Sequence, residues 1–208
     1  MRLVSAATAA CFALVLLGNQ AVAADPEPNK AETVDKAKAL EQKAAANQST
    51  TSLPRADPLT KPEAQAVDPV GAASLDNTIS CLSRTIYWEA KGGAPADMEA
   101  VASVVLNRVG HAGFPGTVCE VVKQGSEQHA CQFSWWCDGN SDHVDEDAPY
   151  LLAKEVARKA LNQQLTDRTG GALYFHSKGV TPDWAKQYTK TAETGKFLFY
   201  KPHDGTAR

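Results

Sequence analysis

Tyr87-Trp88-Glu89-Ala90 sets one carboxylate on an otherwise apolar helix face, one turn ahead of a Gly92-Gly93 stop. With a 3.6-residue period, Leu82, Ile86 and Glu89 project in nearly one direction, with Thr85 beside them. A glutamate on a core-facing stripe resists ionisation unless it is paired, so burial raises its pKa. The helix end at Gly92 acts in the same sense, because the negative pole of the helix dipole disfavours a further negative charge. Together these move a carboxyl from roughly 4.3 toward roughly 6, the range of a general acid at neutral pH. Lys91 opposes the shift, but through a solvated and screened charge. Spacing alone leaves a second reading open, in which Glu89 is a core-edge carboxylate paired with Arg84 or Arg108.

The remaining chemistry-bearing residues do not form a metal centre. His111, His129, His143, His176 and His203 are scattered without H-x-x-x-H spacing, and no C-x-x-C pair occurs. Asp138 to Asp142 imitates the opening of a calcium loop. His143 then stands where glycine is required and Pro149 where the closing glutamate belongs, so the stretch reads as a solvated loop. No metal and no cofactor is expected.

These residues need a scaffold, and the hydrophobic pattern supplies one. A first helix is predicted over Thr78 to Lys91. A second opens at Pro95, carries Met98, Val101, Val105 and Val109, and stops at Gly110. A short third covers Val118 to Gln124, and a fourth runs from Ala148 to Asn162. Between them, Gly125 to Asp147 is polar, aromatic and loop-like. After Gly170-Gly171 the period changes, predicting strands over Ala172 to His176 and Phe197 to Lys201, with a third near Thr189 to Thr191. Helices first and a small antiparallel sheet last define an α+β domain.

Residues 1–23 read as a signal peptide: Arg2, an apolar run from Ala6 to Leu17 too short to span a bilayer, then Ala21-Val22-Ala23 for cleavage. The chain is therefore expected to be exported, to the periplasm or the cell exterior, with no membrane attachment after cleavage. Residues 24–74 lack aromatic side chains and are rich in Ala, Lys, Glu, Gln and Pro, which predicts a disordered linker. Such a linker also offers a coil for a regulatory or wall-anchoring partner. The folded domain is assigned to residues 75–204. Cys81, Cys119, Cys131 and Cys137 remain after processing, an even number that reads as two disulfides in an exported domain. Of the possible pairings, Cys131–Cys137 closes a short loop and Cys81–Cys119 ties two helices, and these are favoured. A net charge of −3 gives no basic face for nucleic acid.

YWEA, VASVVLNRV, FPGTVCEVV, CQFSWW and GGALYFH, in that order from Tyr87 to His176, resemble the catalytic domain of the spore-cortex-lytic-enzyme family of cell wall hydrolases. The resemblance implies a lysozyme-like single domain that cleaves peptidoglycan glycan strands between N-acetylmuramic acid and N-acetylglucosamine, with Glu89 as the catalytic acid. Two departures stand out. Lys91 replaces the arginine that usually follows Glu-Ala, and the loop before Gln132 carries extra residues.

Two-carboxylate glycosidases place their acids roughly 5 Å or roughly 6.5–9.5 Å apart. Asp97, Glu120, Glu127 and Asp138 are available, but none has an apolar setting like that of Glu89. A single acid suffices if a hydroxyl of the muramic acid attacks its own anomeric carbon, which makes a lytic transglycosylase the favoured reading over a water-using muramidase. Gln132, Phe133 and Ser134 are expected at the substrate, since a glutamine amide donates to and accepts from sugar groups at once. Trp88, Trp135 and Trp136 offer aromatic faces for pyranose rings, and Tyr87 is expected at the substrate with them. Tyr174 and His176 share one strand face, which the family context places along the cleft. The competing classes are a non-catalytic wall-binding module and a metal-dependent amidase.

Overall fold

The computed structural model of the chain describes residues 27–46, 57–128 and 130–203. The expected signal peptide lies outside the described residues. Among the described residues six α-helices come first: α1 (Lys30–Ala46), α2 (Lys61–Ala66), α3 (Thr78–Ala90), α4 (Pro95–Arg108), α5 (Val118–Lys123) and α6 (Asp147–Leu161). Three strands follow, β1 (Tyr174–Ser177), β2 (Thr189–Glu193) and β3 (Phe197–Lys201). They form an antiparallel sheet in the order β1-β3-β2, with Phe175 opposite Phe199. This is the α+β arrangement that the periodicity predicts. No described helix is long and apolar enough to cross a membrane.

α3 is the axis of the domain. It packs against α1, α4, α5 and α6, and every residue from Thr78 to Tyr87 is buried. A helix enclosed on all sides must satisfy its own polar side chains, and this one does. Ser83 Oγ donates to the Ile79 carbonyl oxygen (2.7 Å) and Thr85 Oγ1 to that of Cys81 (2.9 Å). The Asn77 side chain accepts from the Ser80 amide and caps the start. At the other end Gly92 takes φ +72°, a left-handed conformation that costs glycine little, and the helix stops. α3 is therefore a central core helix, broader in its burial than the single apolar stripe read from sequence. Disulfides join Cys81 to Cys119, tying α3 to α5, and Cys131 to Cys137, closing the aromatic loop.

The expectation of a disordered linker over 24–74 requires correction. Residues 30–46 form α1, whose Ala37 and Leu40 are buried, and the 57–74 segment docks on the domain through Leu59, Ala64 and Val67, which lie in the core. Buried polar groups do the fastening. Glu41 accepts from Thr78 Oγ1 (2.8 Å) and from the Val118 amide at the start of α5. Asp68 accepts from Arg84 Nε (2.9 Å) and Nη2 (2.8 Å) and from the Tyr150 hydroxyl (2.9 Å) through one oxygen. Its other oxygen takes the amides of Ala72 and Ala73. The Lys154 ammonium, fully buried in α6, donates to the carbonyl oxygens of Gln65, Val67 and Asp68. Composition missed this because the segment docks through a few small apolar side chains and long-range charge pairs, which an average over 50 residues dilutes. Residues 47–56 of the supposed linker lie outside the described residues.

Removing one member of a buried ion pair leaves the other charged and unsolvated. Asp68→Ala is expected to lower the unfolding free energy by about 3–5 kcal/mol, measured by urea denaturation of the disulfide-intact protein. A loss under about 1 kcal/mol would show that the 57–74 segment is not integral to the domain.

Candidate active site

Glu89 sits on the last turn of α3, one residue before the helix ends at Ala90. The β2–β3 hairpin is brought against that end by Asp97 on the first turn of α4. Its carboxylate accepts from the Ala94 amide (2.9 Å), the Lys196 amide (2.9 Å) and the Thr194 hydroxyl. Those bonds fix Lys196, whose ammonium donates to the Lys91 carbonyl oxygen (2.7 Å). Between the helix end and the sheet opens a cleft of about 590 Å³.

Each wall of the cleft comes from a separate element. Glu89 and Arg108, from the ends of α3 and α4, form the floor with Lys196 and Phe197. The loop closed by the Cys131–Cys137 disulfide contributes Gln132 and Ser134. β1 contributes Tyr174, Phe175 and His176, and the 3₁₀ turn Asp183–Gln187 brings Trp184, followed by Tyr188. Tyr174, Trp184 and Tyr188 cluster with ring centroids 4.8–5.9 Å apart, a continuous aromatic wall.

Glu89 is the one carboxylate among the described residues lining this cleft. No hydrogen bond or salt bridge among the described residues holds its carboxyl. Burial pushes its pKa from the ordinary 4.5 to about 7, and the positive charges of Arg108 and Lys196 only partly offset that rise. The competing ion-pair reading fails on both partners. Arg84 is engaged by Asp68, and Arg108 makes its one hydrogen bond, among the described residues, to the Leu173 carbonyl oxygen (2.7 Å). The other carboxylates considered as a second acid lie elsewhere. Asp97 is bound into the hairpin, Glu120 accepts from Thr117 at the start of α5, and Glu127 and Asp138 are exposed.

Of the residues expected at the substrate, Gln132, Ser134, Tyr174 and His176 line the cleft, and the others do not. Tyr87 is buried and donates its hydroxyl to Asp145, while Trp88 donates Nε1 to the Asp142 carbonyl oxygen (3.3 Å). Lys91 sits 5.2 Å from both ring centroids and pairs with Asp145 and Glu146, so these aromatics pin the 138–147 loop. Phe133 and Trp135 are buried. The loop alternates, Gln132 and Ser134 facing the cleft and Phe133 and Trp135 the core. His176 reaches the cleft with both ring nitrogens engaged. Its Nδ1–H is assigned to the Ser177 carbonyl oxygen (2.8 Å), so Nε2 accepts from the Tyr200 hydroxyl (3.1 Å). This imidazole props the wall. Sequence reasoning missed Trp184 and Tyr188, although two aromatics four residues apart in a polar stretch were a readable signal, and it treated Arg108 only as an ion-pair partner.

The family model for cell wall hydrolases matches residues 92–200, more than half of the chain. The chain belongs to the cell wall hydrolase family. That span begins three residues after Glu89, so the match bears on the cleft walls and not on the acid. Among curated proteins, the spore cortex-lytic enzyme of Bacillus cereus is 34% identical over 128 residues, covering 60% of this chain and 44% of that protein. The spore cortex-lytic enzyme of Halalkalibacterium halodurans is 30% identical over 133 residues, 62% of this chain and 36% of that protein. The chain thus spans less than half the length of these relatives. Of solved structures, the catalytic domain of the germination-specific lytic transglycosylase SleB from Bacillus anthracis aligns with a TM-score of 0.49 at 29% identity, covering 61% of this chain and 95% of that one.

A carboxyl whose folded pKa lies above its unfolded value makes a contribution to stability that is fully present below the unfolded pKa and is lost as pH rises through the folded one. For Glu89, 4.5 against about 7 corresponds to about 3 kcal/mol lost between pH 4.5 and pH 8. Glu89→Gln, which cannot ionise, is expected to be more stable than the parent by up to about 3 kcal/mol at pH 8, with the gap closing near pH 5. Urea titrations at the two pH values check this; a pH-independent difference would mean that Glu89 is not desolvated.

Proposed function

We propose that this chain cleaves peptidoglycan glycan strands between N-acetylmuramic acid and N-acetylglucosamine, with Glu89 acting first as acid and then as base. The observation carrying this reading is a carboxyl with a pKa near neutrality at the floor of an aromatic-walled cleft, the one acid lining it and without a partner among the described residues. Membership of the cell wall hydrolase family supports the substrate class, and the relatives from Bacillus cereus and Halalkalibacterium halodurans are named for lysis of spore cortex.

The chemistry follows from the groups present. Protonated Glu89 gives its proton to the glycosidic oxygen as the bond to the muramic anomeric carbon breaks, leaving an oxocarbenium-like centre. The hydroxyl on carbon six of the same sugar then attacks that carbon, and the Glu89 carboxylate takes the hydroxyl proton. The acid is regenerated, no water is consumed, and the product ends in 1,6-anhydro-muramic acid. Arg108 and Lys196 stabilise the carboxylate in the interval between its two roles. Tyr174, Trp184 and Tyr188 present ring faces on which pyranoses stack, and Gln132 and Ser134 supply hydrogen bonds to their substituents. A peptidoglycan substrate would place the working enzyme in the periplasm or outside the cell, in keeping with the export expected from residues 1–23.

Digestion of purified sacculi, with mass spectrometry of the released fragments, tests this. The parent is expected to yield anhydro-muramic ends, and Glu89→Gln to lose about 10²–10⁴-fold in rate. Reducing muramic ends would overturn the single-acid mechanism in favour of a water-using muramidase. Binding without cleavage by either protein would make the chain a wall-binding module.

A further inference from the structure

Arg108 is 3% exposed, yet it lines the cleft beside Glu89. Among the described residues its guanidinium carries more N–H donors than it uses: Nε donates to the Leu173 carbonyl oxygen, and Nη1 is buried with no partner there. The rings of Phe114 and Phe133 lie 5.1 Å from Cζ, and that of Tyr174 5.7 Å. Aromatic faces hold the charge and orient the plane, but they do not satisfy in-plane N–H groups. An orphaned buried donor on a fixed guanidinium is costly to maintain unless an acceptor arrives from outside.

The charge of the cleft says what kind of acceptor. Among the described residues lining the cleft, Arg108 and Lys196 face one carboxyl, and that carboxyl must be protonated to act as an acid. The site ready for reaction is therefore net positive. A forked, rigid guanidinium in such a site matches a carboxylate better than a neutral carbonyl. On a glycan strand the carboxylate nearest the scissile bond is that of the lactyl ether on muramic acid, and it is free only where the peptide stem has been removed. With the stem attached, the same carbon is a neutral amide.

Building on the glycan-cleavage reading above, we propose that Arg108 receives the free lactyl carboxylate of muramic acid, making stem-free strands the preferred substrate. The reaction that must supply such a substrate is hydrolysis of the amide between the lactyl group and the first amino acid of the stem.

The test uses stem-free strands prepared by amidase digestion of sacculi, the same strands with their lactyl carboxyls methylated, and the parent protein. Methylation removes the charge and adds little bulk. It is expected to raise KM about 10–100-fold with kcat little changed. In Arg108→Gln the two substrates should converge to one KM, and Arg108→Lys should restore part of the preference. Equal KM values for acid and ester in the parent would overturn the proposal while leaving glycan cleavage standing, and this comparison holds even if the variants do not fold. Cleavage of neither substrate would overturn both readings.

Discussion

In the proposed reaction Glu89 has to be desolvated to hold a proton near neutral pH, and it has to remain unpaired to give that proton away. Both conditions depend on α3. A helix buried from Thr78 to Tyr87 ends abruptly at Ala90, two residues before the left-handed Gly92, so its last carboxyl emerges from the core at a cleft floor. Were the helix amphipathic in the ordinary way, the same glutamate would be wet and its pKa close to 4.5. Arg108 and Lys196 set the upper limit: without those cations burial would raise the pKa further, and the carboxylate that the proposed second step calls for would be harder to form.

A helix that central must be anchored, and buried polar pairs anchor it at both ends. Near its start, Asn77 caps the helix and Glu41 of α1 accepts from Thr78. Along its length Arg84 binds Asp68, and Cys81 is linked to Cys119. At its end Asp97 draws in the β2–β3 hairpin and so delivers Lys196. Buried pairs of this kind add little net stability over apolar packing, but they break at a high cost and so specify a single arrangement. The floor of the cleft is built from two such consequences, one helix end and one hairpin.

Local signals in the sequence carried far. Pro95 and Gly110 bracket α4, the 3.6-residue pattern places α3 within one residue, and the shift to alternation after Gly171 marks the sheet. Glu89 was legible because one charged residue stood on an apolar stripe. What local patterns do not encode is long-range pairing. Asp68 and Arg84 lie 16 residues apart, and Lys154 reaches carbonyl oxygens up to 89 residues away, so a segment of modest hydrophobicity was read as a tether although it is part of the domain. The same limit explains the loop residues. Gln132 to Trp135 form a plausible run of sugar-binding types, but only the backbone decides that Gln132 and Ser134 face the cleft and Phe133 and Trp135 the core.

Nuclear magnetic resonance titration of the Glu89 side-chain carboxyl carbon, in the folded disulfide-intact protein between pH 4 and pH 9, bears most directly on the central claim. A midpoint at about 7 is expected, moving upward in Lys196→Met as one of the two offsetting charges is removed. A midpoint near the ordinary 4.5 would mean that the carboxyl is solvated, and Glu89 could not then serve as the acid at neutral pH.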